Sequence, residues 1–166
     1  MIRDLELNRL IKYAQGMGIS VNFKPYVKGS KDEALWTIDG TKIEIFVKAT
    51  TTKLDKILSL IHEIAHHKTF VNNGRKIDPA VEEALDAEDD KKKFRKALYE
   101  DETEATKYWE EIYRDTNCQF DKNKLYMQKE FDIWTYRVYY ETGEYPTRKM
   151  QAEKRKELKK VRWTTE

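Results

Sequence analysis

Apolar residues at Leu54, Ile57, Leu58, Ile61, Ile64 and Ala65 recur at intervals of three and four, the spacing of a helix with one face in a core. Thr50, Thr51 and Thr52 offer N-cap hydroxyls before it and Asn72-Asn73-Gly74 closes it, so a helix is expected from about Lys53 to Val71. An earlier helix over residues 3–17 would turn Leu7, Leu10, Ile11, Ala14 and Met17 inward and stop at Gly16 and Gly18. Between the two the period falls to two. Ser20–Lys24 alternates and meets Pro25, the mark of an edge strand, and Val27–Glu33 is a loop. Leu35–Asp39 and Ile43–Ala49 predict a hairpin turned by Asp39-Gly40, with Ile43, Ile45, Val47 and Ala49 on one face.

Downstream, Pro79 opens another helical stretch. Leu98, Glu102, Ala105, Trp109 and Ile112 then step by four, three, four and three, one inward stripe on a helix over Leu98–Ile112. A last aromatic-rich helix, Lys124–Glu141, ends at Gly143; its aromatics are more simply core than a binding box. The fold class expected is α+β: a small antiparallel or mixed three-stranded sheet packed against a mostly helical domain over residues 1–142, with a basic helix or tail over 143–166.

The helix expected from about Lys53 to Val71 carries chemistry. His62 and His66 lie one turn apart on the same side, so both imidazoles can reach one ion. Glu63 stands beside them, placed to touch a metal-held water without becoming a ligand. This is the H-E-x-x-H arrangement of zinc peptidases. Such a site needs a third protein ligand and an open fourth position. His67, the only other histidine, projects about 100° away round the helix and is a poor ligand. The third ligand must therefore be a carboxylate or the lone Cys118. Glu102 interrupts an apolar stripe, where an unpaired carboxylate would cost several kcal/mol, so it should face a cation. It is the expected third ligand, with Glu83 and Glu88 behind it.

Charge and composition change the picture little. The net charge of +2 does not by itself imply nucleic acid. A single cysteine excludes an intramolecular disulfide and fits a reducing compartment. No apolar run reaches the length of a signal peptide or membrane span, so a cytoplasmic protein with no membrane partner is expected. From Asp78 to Asp115 acids outnumber bases by about two to one, a field that would favour cationic substrates. The tail is the opposite: Arg148, Lys149, Lys154, Arg155, Lys156, Lys159, Lys160 and Arg162 make it a solvated helix or a contact for nucleic acid or an acidic partner.

With His62-Glu-Ile-Ala-His-His67 behind a strand, and Glu102-Thr-Glu-Ala105 followed by Tyr108 and Trp109, the chain resembles the ImmA/IrrE-type zinc metallopeptidases over roughly residues 1–142. The family's metal-binding Glu, three residues before an Ala, falls on Glu102; its Phe-Ala and following apolar run are replaced here by Tyr108-Trp109-Glu-Glu-Ile-Tyr113. The resemblance implies a zincin-like fold and a cytoplasmic zinc endopeptidase of a bacterium or phage-infected cell. Its substrate would be a specific regulatory protein, commonly a helix-turn-helix repressor. Zn²⁺ would sit on His62, His66 and Glu102, and Glu63 would act as general base and then acid. An extended substrate could add as a strand to the sheet edge, and Tyr99, Tyr108 and Tyr113 are candidate oxyanion donors. The competing reading is a non-proteolytic zinc-binding module, closed by Cys118 or His67 as a fourth ligand, whose basic tail docks on DNA or protein.

Overall fold

Thr52 fixes where the metal-motif helix begins. Its hydroxyl accepts from the Asp55 amide at 3.1 Å, and the Asp55 carboxylate accepts from the Thr52 amide at 2.7 Å. Two of the otherwise unsatisfied amides of the first turn are thereby answered reciprocally. In the computed structural model, which describes residues 2–28, 34–37, 40–74 and 91–163, the elements are α1 (Ile2–Gly16), β1 (Ser20–Pro25), β2 (Ala34–Trp36), β3 (Lys42–Val47), α2 (Lys53–Asn72), α3 (Lys91–Thr106), α4 (Trp109–Asp115), α5 (Lys122–Thr142) and α6 (Arg148–Lys159). The fold is α+β. The chain divides into two compact units, Met1–Lys76 with Lys107–Phe120, and Ile77–Thr106 with Asp121–Glu166.

In the first unit the strand order is β1-β3-β2, with β1 parallel and β2 antiparallel to β3. The sheet is thus mixed. Val21 sits opposite Ile43 and Phe23 opposite Ile45, while Trp36 pairs with Ile43 across the hairpin. Ile43 and Ile45, on the central strand, are buried. The hairpin closes through Thr37 N–H to the Lys42 carbonyl and Gly40 N–H to the Thr37 carbonyl. Gly40 takes φ +72°, and a Cβ there would stand 2.9 Å from the Phe70 ring, so the turn needs glycine twice over. Asp39 lies outside the described residues, and Ala49 falls in the turn after β3 rather than on its face.

α2 packs against α1, β2, β3 and α4. Ile57, Leu60, Ile61, Ile64 and Ala65 are all fully buried. Burial on several sides explains why Leu60 and His67, off the expected stripe, are also inside. α1 contributes Leu10 and Ala14 to this core and, less expectedly, Glu6.

The single helix expected over Leu98–Ile112 is two: α3 ends at Thr106 and α4 starts at Trp109. Thr103 donates its hydroxyl to the Tyr99 carbonyl and Thr106 donates to the Thr103 carbonyl, at 2.8 and 2.7 Å. The second bond places a side-chain donor on the Thr103 carbonyl, the acceptor that the Lys107 amide would share if the helix went on. The stripe survives the break, for Glu102, Ala105, Trp109 and Ile112 are all buried. The stretch opened by Pro79, with Glu83 and Glu88, lies outside the described residues.

In the second unit α5 packs against α3 and α6. Asp121 caps its start and Gly143, at φ +81°, its end. Its aromatics serve packing: Tyr140 stacks on Tyr99, Tyr139 on Tyr145, and Phe131 lies buried beside Trp134. No helix among the described residues is long and apolar enough to cross a membrane.

Candidate metal centre

His62 and His66 follow from the period of α2. One turn apart, their rings meet edge to face at a centroid distance of 4.8 Å, with the two Nε2 atoms 3.1 Å from each other. Both rings are half-buried. The Glu63 side chain is buried, and its Oε1 lies 4.0 Å from His62 Nε2. The base candidate therefore stands beside the ligand atoms on the same helix. Glu102, on α3, is 6% exposed. His62, His66 and Glu102 form a group that could hold a metal ion, one ligand atom of each lying within 4.8 Å of the others.

The donor set fits zinc. Two imidazoles and one carboxylate are a recurrent protein ligand set of catalytic zinc. Two nitrogens each about 2.0–2.1 Å from a tetrahedral ion stand roughly 3.3 Å apart, and the observed 3.1 Å is close to that. At this spacing one cation could bridge the two Nε2 atoms.

The third histidine is structural. His67 is 1% exposed, its Nδ1 accepts from the Trp36 indole at 3.4 Å, and its ring packs on Trp36 and Phe70. Cys118 is not in the metal group either; it is buried, with its sulfur 3.3 Å from the Thr116 hydroxyl. Burial pushes its thiol above the usual range; the Thr116 hydroxyl pulls the other way, the Glu6 carboxylate raises it further and Arg9 lowers it. A thiol held neutral in the folded chain favours folding below its unfolded pKa, an advantage lost as the pH rises. The expected result with a disulfide reagent at pH 8 is modification of the folded chain at least about tenfold slower than of the chain in denaturant; equal rates would contradict the burial.

Several contacts were not predicted from the sequence. Trp109, fully buried, sets its ring edge-on to His62 at 5.7 Å, which limits the rotation of that imidazole. The stripe of α3 and α4 marks Trp109 as inward, but nothing in the pattern says which side chain it meets. Glu6 is fully buried and accepts the Gln119 amide, while Arg9 donates to the Thr116 and Asn117 carbonyls. A signal for Glu6 did exist: it shares the i, i+4 column of Leu10 and Ala14. Of the candidate oxyanion donors, Tyr113 gives its hydroxyl to the Phe120 carbonyl and Tyr99 stacks on Tyr140. Tyr108 lines a cavity of about 300 Å³ with Met17, His67, Lys68 and Glu111. That cavity borders the later turns of α2 and does not include His62, His66 or Glu63. Compared with known proteins, the chain matches no family model, no curated protein and no solved structure.

Proposed function

We propose that this chain is a zinc-dependent endopeptidase of the ImmA/IrrE type, working in the cytoplasm of a bacterium or phage-infected cell on a specific regulatory protein such as a helix-turn-helix repressor. The observation that carries the reading is the His62, His66 and Glu102 group with the Glu63 carboxylate 4.0 Å from His62 Nε2. In this reading His62, His66 and Glu102 hold the ion. When bound, zinc supplies Lewis acidity that polarises a peptide carbonyl and acidifies water.

The remaining steps belong to the chain. Glu63 takes the proton of the attacking water and returns it to the leaving amine, so one carboxylate serves both halves of the reaction. Its burial favours this role, because a carboxylate screened from bulk water interacts more strongly with a nearby proton donor. Trp109, set edge-on to His62, restricts how far that imidazole can turn. The outer edge of β2 pairs with no strand among the described residues, and β2 packs on α2. An extended peptide hydrogen-bonded there would run alongside the helix that bears the histidines.

The test is digestion of a proteome-derived peptide mixture and of whole bacterial protein extract, with new termini identified by mass spectrometry. The zinc-loaded chain is expected to generate termini that vanish with a chelator and return when zinc is restored. A chain that carries one zinc and makes no cut in either substrate would end the peptidase reading.

A further inference from the structure

We propose that the outward face of α6 is a binding surface for the phosphate backbone of duplex DNA. Between Thr147 and Trp163 there are eight cations and two acids, a local charge of +6 on a chain whose total is +2, so the rest of the molecule is net negative. The largest basic excess lies in α6 and the residues just after it.

The helix is fixed on one side. Leu158 is buried, Gln151 and Lys154 are half-buried, Arg155 lies over the Phe131 ring at 3.8 Å, and Lys154 pairs with Glu157 at 2.8 Å. Thr147 caps the N-terminus by accepting the Met150 amide. The remaining cations, Arg148, Lys149, Lys156, Lys159, Lys160 and Arg162, are exposed and make no ion pair among the described residues. At about 100° per residue, the five of them that run from Arg148 to Lys160 fall within roughly a third of the helix circumference, on the side away from Leu158. They extend over about 18 Å of axis, the length of about five base pairs.

Chemistry selects the occupant. Insertion into an anionic membrane would need an apolar face, and Leu158 of α6 is already buried; binding to phosphatidylserine vesicles more tightly than to duplex would overturn the proposal in favour of a membrane surface. A protein interface would need a large apolar anchor at its centre; the exposed Met150 and Val161 lie at opposite ends of the array. Single-stranded nucleic acid is held by stacking on aromatic rings, and α6 has none. The deep, narrow major groove of duplex RNA excludes a helix, whereas that of B-DNA, about 12 Å wide, admits one. A row of lysines and arginines without base-reading side chains gives affinity without sequence preference.

Fluorescence anisotropy on a labelled 20-base-pair duplex tests this with the full chain. Binding is expected with a dissociation constant of about 10⁻⁴–10⁻⁶ M, and with log K falling against log salt at a slope of about −4 to −5. Lys149→Gln/Lys156→Gln/Lys160→Gln should weaken binding at least about tenfold and reduce the slope by about 3, with an unchanged far-ultraviolet circular dichroism spectrum. The exposed triple Lys12→Gln/Lys28→Gln/Lys42→Gln should leave both values as in wild type. No binding by 100 µM chain in 50 mM salt, about the weak limit of non-specific binding, would overturn the proposal. So would an unaltered salt slope in the α6 variant. Binding to a single-stranded 20-mer or to poly-glutamate of matched charge as tight as to the duplex would overturn it in favour of those partners. None of these outcomes depends on zinc or on peptidase activity.

Discussion

Glu63→Gln is expected to lower the rate of zinc-dependent peptide cleavage by about 10²–10⁴-fold, the contribution of a positioned general acid–base, while the chain retains one zinc. The substitution is nearly isosteric and keeps a polar group in a buried position, and Glu63 is not in the metal group. Only the capacity to take up a proton is lost. Zinc content by mass spectrometry of the native chain, with cleavage rates on a peptide found in the digestion, separates the two properties. Wild-type cleavage by the variant would remove Glu63 from the reaction. Loss of zinc would instead make Glu63 part of the ion's binding site, contrary to the role argued for it.

Much of the scaffold behind this prediction is legible in the sequence because it depends on local periodicity. The spacing from Leu54 to Ala65, with Thr52 before it, gives α2 to within a residue or so. The period of two around Gly40 gives the hairpin, and the same reasoning places Glu102 inward from nothing more than its place in an apolar stripe. What the periodicity misses is set by tertiary partners. The parallel pairing of β1 with β3 depends on where the chain returns after α1, which alternation within β1 does not encode. His67 is inside because Trp36 and Phe70 cover its side of α2. The helix break before Trp109 falls inside an unbroken apolar stripe, so the pattern of apolar positions does not mark it. Glu6 is the instructive case. Its column is apolar, yet a carboxylate sits there because the Gln119 amide arrives from 113 residues away to meet it.

Metal binding should also appear as stability, and the size of the zinc-induced rise in each variant identifies the ligand. Zinc that binds the folded chain alone stabilises it by about 4 kcal/mol at a free concentration 1,000 times its dissociation constant. For a chain of this size that raises the unfolding midpoint by about 8–16 °C. Glu102→Ala would remove one of the three proposed ligands, and a loss of at least about 100-fold in affinity would leave the variant at no more than about ten times its own dissociation constant under the same conditions. The gain then falls to about 1.4 kcal/mol, or roughly 3–6 °C. His67 provides the contrast. Because it is buried against Trp36 and Phe70, His67→Ala should lower the midpoint with and without zinc, by the cost of an emptied core position, and leave the zinc-induced rise near the wild-type value. Scanning calorimetry of wild type, Glu102→Ala and His67→Ala at one fixed free zinc concentration reads all three shifts. A full wild-type rise in Glu102→Ala would show that the third ligand lies elsewhere, and a lost rise in His67→Ala would move His67 from the core to the ion.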